Sequence, residues 1–200
     1  MSVRERGYPL AMSGADRGVG GYVIWDSSPR AVARVRDAVV GHAATGTLRL
    51  VLQQLALHEE GREAGVHEVI DAIVDVDGNL VAYPVREAVR ADAAASAALD
   101  GALAQLRADI AEELTSAVDS LEVVLDRDGR REVRLLLQVE VSPGELEDDP
   151  APAALHDGDF HIHHHAPALD DLRDRVAAPA PSPLRRVLGR MRESLAHRRA

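Results

Sequence analysis

The sequence predicts an α+β fold: helices packed on one face of an antiparallel sheet built from two hairpins, plus a C-terminal extension with a basic amphipathic helix. Three observations predict it. Two stretches of alternating apolar residues each fold about an Asp-Gly pair, Asp77-Gly78 and Asp128-Gly129. A long helical stripe of Leu99, Leu103, Leu106, Ile110 and Leu114 separates them. After Val141 the composition turns acidic and Pro-rich, and the chain closes on a basic, amphipathic stretch.

Taken in order, residues 1–21 are Gly-rich and aperiodic and read as a flexible arm. "GYVIW" (21–25) has the composition of a short strand. Ser28 and Pro29 form a helix start, and Val32, Val35 and Val39 share one stripe, which predicts a helix over about 29–43. "TLRLVLQQLALHEEG" (47–61) supports two readings. Leu48, Val51, Leu52 and Leu55 repeat at helical spacing, whereas Leu48, Leu50 and Leu52 alternate as in a strand. Its Gln, Ala, Leu and Glu residues favour the helix.

"VHEVIDAIVDVDGNLVAYPV" is a hairpin. A two-residue turn at Asp77-Gly78 sets Val74 opposite Val81 and Ala72 opposite Tyr83, so the apolar residues share a face. Residues 86–117 are helical, with Asp100-Gly101 as the expected break. In the second hairpin a two-residue turn would oppose Val123 to Arg134. A three-residue loop, Arg127-Asp128-Gly129, instead opposes Val123 to Val133 and Leu121 to Leu135. That register predicts Gly129 in the left-handed region of a bulged turn.

The resulting plan has an α+β domain over 22–142 behind the arm. An acidic Pro/His-rich segment and linker follow over 143–183, then a basic helix over 184–200. Residues 143–175 hold nine acids and two arginines, a net charge of −7. Residues 184–200 hold six arginines and Glu193, a net charge of +5.

Composition limits the chemistry. With no cysteine, the chain has no disulfide, thiolate nucleophile or iron–sulfur ligand. All 23 Lys+Arg residues are arginine, which removes Schiff-base chemistry and the phosphate-loop lysine. The net charge of −10 disfavours nucleic acid and anionic membranes and suits a basic protein partner. No apolar run follows the N-terminal charges and none spans a bilayer, so a cytoplasmic protein is expected. "HEEGREAGVH" (58–67) lacks the second His of a zinc-protease helix, because Arg62 stands there. "DVDGN" and "DRDGR" carry their Gly too early for calcium loops.

"HDGDFHIHHHAP" (156–167) contains five of the nine histidines. Read as a strand, 159–165 places His161, His163 and His165 on one face, and alternate imidazoles there can share one metal. Those three with Asp159 form the candidate metal set, and zinc suits imidazole and carboxylate ligands. The alternative is a solvated acidic edge whose crowded imidazoles titrate near neutrality. In the last segment, Leu184, Val187, Leu188, Met191 and Leu195 form an apolar stripe flanked by Arg185, Arg186 and Arg190. They are the candidate partner-binding residues.

Residues 97–137, "AALDGALAQLRADIAEELTSAVDSLEVVLDRDGRREVRLLL", place a helix ending in LRxxI before a strand, an xDG turn and a return strand. This layout resembles actinobacterial toxin-immunity proteins of the YezG-like kind. The resemblance implies a small, acidic, cytoplasmic α+β protein that binds and blocks a partner toxin. The function expected is thus non-enzymatic protein interaction, immunity- or inhibitor-like or as a subunit of a larger assembly, with no cofactor. The alternative is a metal-binding protein or metal-dependent enzyme using the His156–His165 cluster.

Overall fold

A computed structural model describes residues 22–25, 29–114, 118, 120–136, 141–148 and 150–178. Among these, six strands form one antiparallel sheet in the order β1-β6-β5-β2-β3-β4. The elements run β1 (Tyr22–Trp25), α1 (Pro29–Val39), β2 (Thr47–Glu59), β3 (Arg62–Val76) and β4 (Asn79–Pro84). Then come α2 (Arg86–Ala91), α3 (Ala93–Leu114), β5 (Ser120–Asp126), β6 (Arg131–Leu136), α4 (Gly158–His164) and α5 (Ala166–Ala177).

The α+β class and both hairpin registers follow the sequence. Val74 opposes Val81 and Ala72 opposes Tyr83, with Asp77 and Gly78 both at positive φ. Val123 opposes Val133 and Leu121 opposes Leu135, and Gly129 sits at φ 93°. The turn is closed by the Gly129 N–H donating to the Asp126 carbonyl at 3.0 Å. In both hairpins the turn chemistry and the two-residue period demand the same pairing, so the register has one solution.

Residues 47–59 correct the helical expectation. They form β2, which pairs with β3 on one side and β5 on the other. Leu50 and Leu52 face α1 and α3, while Val51, Gln53 and Leu55 face the opposite side, and all five are buried. A strand buried on both faces loses its alternation, and its unbroken apolar run imitates a helical stripe. The break in the long helix also moves. It falls at Asp92, whose Oδ1 accepts from the Ala94 and Ala95 amides and caps α3. Gly101 lies inside the uninterrupted helix.

The helix-side core joins Val32, Val35 and Val39 of α1 with Leu99, Leu103, Leu106 and Ile110 of α3. Beneath them lie Leu52, Ile70, Leu121, Val123 and Leu135 of the sheet. Trp25 closes one end and donates its indole N–H to Glu113 at 3.0 Å. The opposite sheet face is covered by residues of the acidic segment. Leu169 and Leu172 of α5 pack on Leu48, Val51 and Ile73. Val141 and Ala154 pack on Leu55, Leu57 and Leu136. Among the described residues, no helix is long and apolar enough to cross a membrane. The arm 1–21 and residues 184–200 lie outside the described residues.

Candidate functional site

Antiparallel pairing fixes one polar row across the covered face. Gln53 of β2 stands opposite Glu122 of β5, and Glu122 stands opposite Arg134 of β6. The next row but one pairs Arg49 with Asp126, joined by two hydrogen bonds of 2.7 and 3.2 Å. In sequence Glu122 and Arg134 look like the solvent side of ordinary strands. In the fold, Gln53 and Glu122 are fully buried and Arg49 and Arg134 nearly so.

The covering segment supplies the partners. Gln53 behaves as an extra piece of backbone: its amide donates to the Ala154 carbonyl at 2.7 Å and its oxygen accepts from the His156 amide at 2.9 Å. That places the His156 ring inside, where Nδ1 donates to Glu122 Oε2 at 2.7 Å. From α4, His161 Nε2 donates to Glu122 Oε1 at 2.5 Å. Arg134 Nη1 lies 3.3 Å from the same oxygen, and its guanidinium sits over the Tyr22 ring, 4.6 Å from the centroid. Arg134 also pairs with Glu132. Both His156 and His161 are 0% exposed, as is Glu122.

Arginine can only donate, and this fixes two imidazole tautomers. Arg49 Nη1 approaches His161 Nδ1 at 3.4 Å, so Nδ1 accepts and the proton sits on Nε2, facing Glu122. Arg134 Nη1 approaches His165 Nε2 at 3.2 Å, so His165 also accepts there. Both rings are therefore neutral. His156 keeps its proton on Nδ1, and its buried Nε2 has no hydrogen-bond partner.

The electrostatics agree with this arrangement. Burial pushes the Glu122 carboxyl up, but hydrogen bonds from His156 and His161 and the charge of Arg134 outweigh it, so it stays ionised well below the usual range. Burial, reinforced by Arg134 and Arg49, lowers His161 against the opposing pull of Glu122. Burial and the same two arginines bring His165 down to about 4. Burial raises Asp71, partly offset by the Gly158 amide that donates to its Oδ2 at 2.7 Å.

The expected metal set is not brought together. Residues 158–164 form a helix, because Asp157 caps it by accepting from the Phe160 amide at 2.8 Å and Pro167 starts the helix that follows. Helical spacing leaves His161 and His165 on the inner side and turns His163 out to solvent, where its Nδ1 donates to the Asp159 carbonyl. His161 faces Glu122 and Arg49, His165 faces Arg134, and Asp159 is exposed. His161 Nδ1 and His165 Nε2 thus each face a different guanidinium rather than one shared point. Among the described residues no group of three or more His, Asp or Glu side chains is arranged to hold a metal. The solvated-edge reading is corrected for His156 and His161, which are sealed in, while Asp159, His163 and His164 are exposed.

Sequence reasoning missed Arg49, Gln53, Glu122 and Arg134. The available signal was Gln53 inside the apolar run of β2, a position that burial on both faces makes costly without a partner. The candidate partner-binding residues Leu184, Val187, Leu188, Met191, Leu195, Arg185, Arg186 and Arg190 lie outside the described residues. No protein-family model matches the chain, and no curated protein is significantly similar to it.

Proposed function

We propose that the chain is a non-enzymatic protein-binding domain that engages a basic partner, as an inhibitor or as a subunit of an assembly. One observation carries this reading. The place where Glu122 meets His156 and His161 is closed to solvent, and apart from His156 Nε2 its polar atoms are satisfied by one another and by arginine. A catalytic base or nucleophile must reach its substrate, and these groups instead anchor the covering segment to the sheet. What the chain offers a partner is a surface under a net charge of −10. Such a field speeds encounter with a basic protein. The YezG-like layout supports the same class of activity, binding without turnover.

The test is reconstitution. A partner captured from the source cells is purified and titrated against the purified full chain at several salt concentrations. The reading expects a stoichiometric complex whose association rate falls as salt rises. Failure of the two purified proteins to associate, together with turnover of a substrate by the chain alone, would overturn it.

A further inference from the structure

We propose that residues 154–172 form a strap that acid releases from the sheet while the sheet stays folded, with His161 and His165 as its locks. Three observations converge. The first is that the strap belongs to its own packing units. Ala154, Leu169 and Leu172 belong to the two clusters on the covered face, and the helix-side core contains no residue of the strap. Opening the strap therefore leaves α1, α3 and the inner sheet face in contact, which is the condition for local rather than global opening.

The second is the direction of the hydrogen bonds. His161 and His165 each accept from a buried arginine, which only a neutral imidazole can do. A proton added to either ring abolishes that bond and sets an imidazolium against a guanidinium. The third is where the other attachments lie. Hydrogen bonds of Gln53 with Ala154 and His156, of His156 with Glu122 and of Gly158 with Asp71 hold the strap's first residues, and the end of α5 that follows it is held more loosely. Its outer clamps are ion pairs on partly exposed groups, Arg173 with Asp75 and Arg175 with Asp128. Pairs of this kind contribute little.

The surroundings set the sign. His161 and His165 face Arg49 of β2, Glu122 of β5, and Arg134 with its partner Glu132 of β6. Asp126 of β5 neutralises Arg49, and Tyr22 of β1 lies under Arg134. Asp71 of β3 meets α4 at Gly158, and His156, Asp157 and Asp159 complete the set. Both imidazoles are held below their ordinary value of 6.5, with burial as the leading cause. The released state then binds more protons than the docked state once the pH drops below about 6.5, and docking weakens from there down. Glu122 stays ionised through this window, so the carboxylate is not the trigger.

Hydrogen exchange on the full chain tests the proposal at about pH 7.5 and about pH 5, with intrinsic rates corrected. Peptides covering 154–172 are expected to exchange about tenfold faster at the lower pH, while those covering 99–110 and 121–125 do not change. Trp25 emission, which reports the helix-side core, should hold steady across the same range. The variant His161→Gln/His165→Gln keeps an amide donor and acceptor at both sites without a titrating group, and should remove the acid effect. Should it fail to fold, His165→Gln alone, at the partly exposed end of α4, should reduce the effect about threefold. Strap and core exchanging in parallel, a shift of Trp25 emission with strap release, or an undiminished acid effect in the variant that folds would each overturn the proposal.

Discussion

Replacing Glu122 by Gln removes one charge from the covered face and changes the hydrogen-bond sense of one atom. The amide oxygen must take the place of Oε1, because His161 cannot move its proton: its Nδ1 is held by Arg49. The amide NH2 then meets His156 Nδ1, also a donor. His156 can avoid this clash only by shifting its proton to Nε2, which is buried without a partner. The variant thus loses one charge-assisted hydrogen bond, worth about 1.5–3 kcal/mol, and strands one buried N–H at about 1–3 kcal/mol. Arg134 also loses a counter-charge. The total is about 3–5 kcal/mol, the range for breaking a buried ion pair from one side. Chemical denaturation followed by Trp25 emission, with a thermal melt beside it, measures the loss. The expected drop in melting temperature is on the order of 10 °C for a chain of this size. A loss under about 1 kcal/mol would refute the reasoning, because it would mean that the carboxylate is solvated rather than shared between two imidazoles.

Other outcomes follow from the same coordinates. Gly158→Ala should destabilise by about 1–3 kcal/mol, since an added Cβ would lie 2.6 Å from the Ala82 Cβ and 3.2 Å from Asp71; urea unfolding checks it. Gly101→Ala should stabilise by about 1 kcal/mol in the same assay, because the position is mid-helix and open around the added methyl. Stability should be level above pH 6.5 and fall from there towards about 4, the window in which His165 is depressed; melting temperatures across a buffer series report it, and a decline that begins only below pH 4.5 would assign the loss to carboxylates instead.

Much of the fold was legible wherever two independent signals agreed. The pairs Val74–Val81 and Val123–Val133 follow because turn residues and apolar alternation each select the same register. β2 was not legible, for the reason that makes it central: Val51, Gln53 and Leu55 are buried on one side and Leu50 and Leu52 on the other, so no period of two survives. The break at Asp92 was overlooked in favour of Gly101 because propensity weighs a glycine above a cap. A capping aspartate that satisfies two amides fixes the helix start more firmly than a mid-helix glycine breaks it. The site was hidden by distance along the chain. Glu122 and Arg134 alternate with apolar neighbours as any exposed strand residues do. What buries them is a segment whose acidity and prolines describe its outer surface, while Gln53, Glu122 and Arg134 receive its inner one. The histidines carried a real signal, but the assumed strand period grouped His163 with His161 and His165, and the helix separates it.

Side-chain nitrogen NMR of the histidines at pH 7.5, followed down to pH 4, tests the sealed polar face most directly. The account predicts that His161 carries its proton on Nε2 alone, that His156 carries it on Nδ1, and that His161 and His165 take up a second proton only below their ordinary value of 6.5. His161 and His165 titrating at their ordinary value of 6.5, with the His161 tautomers in fast exchange, would contradict it.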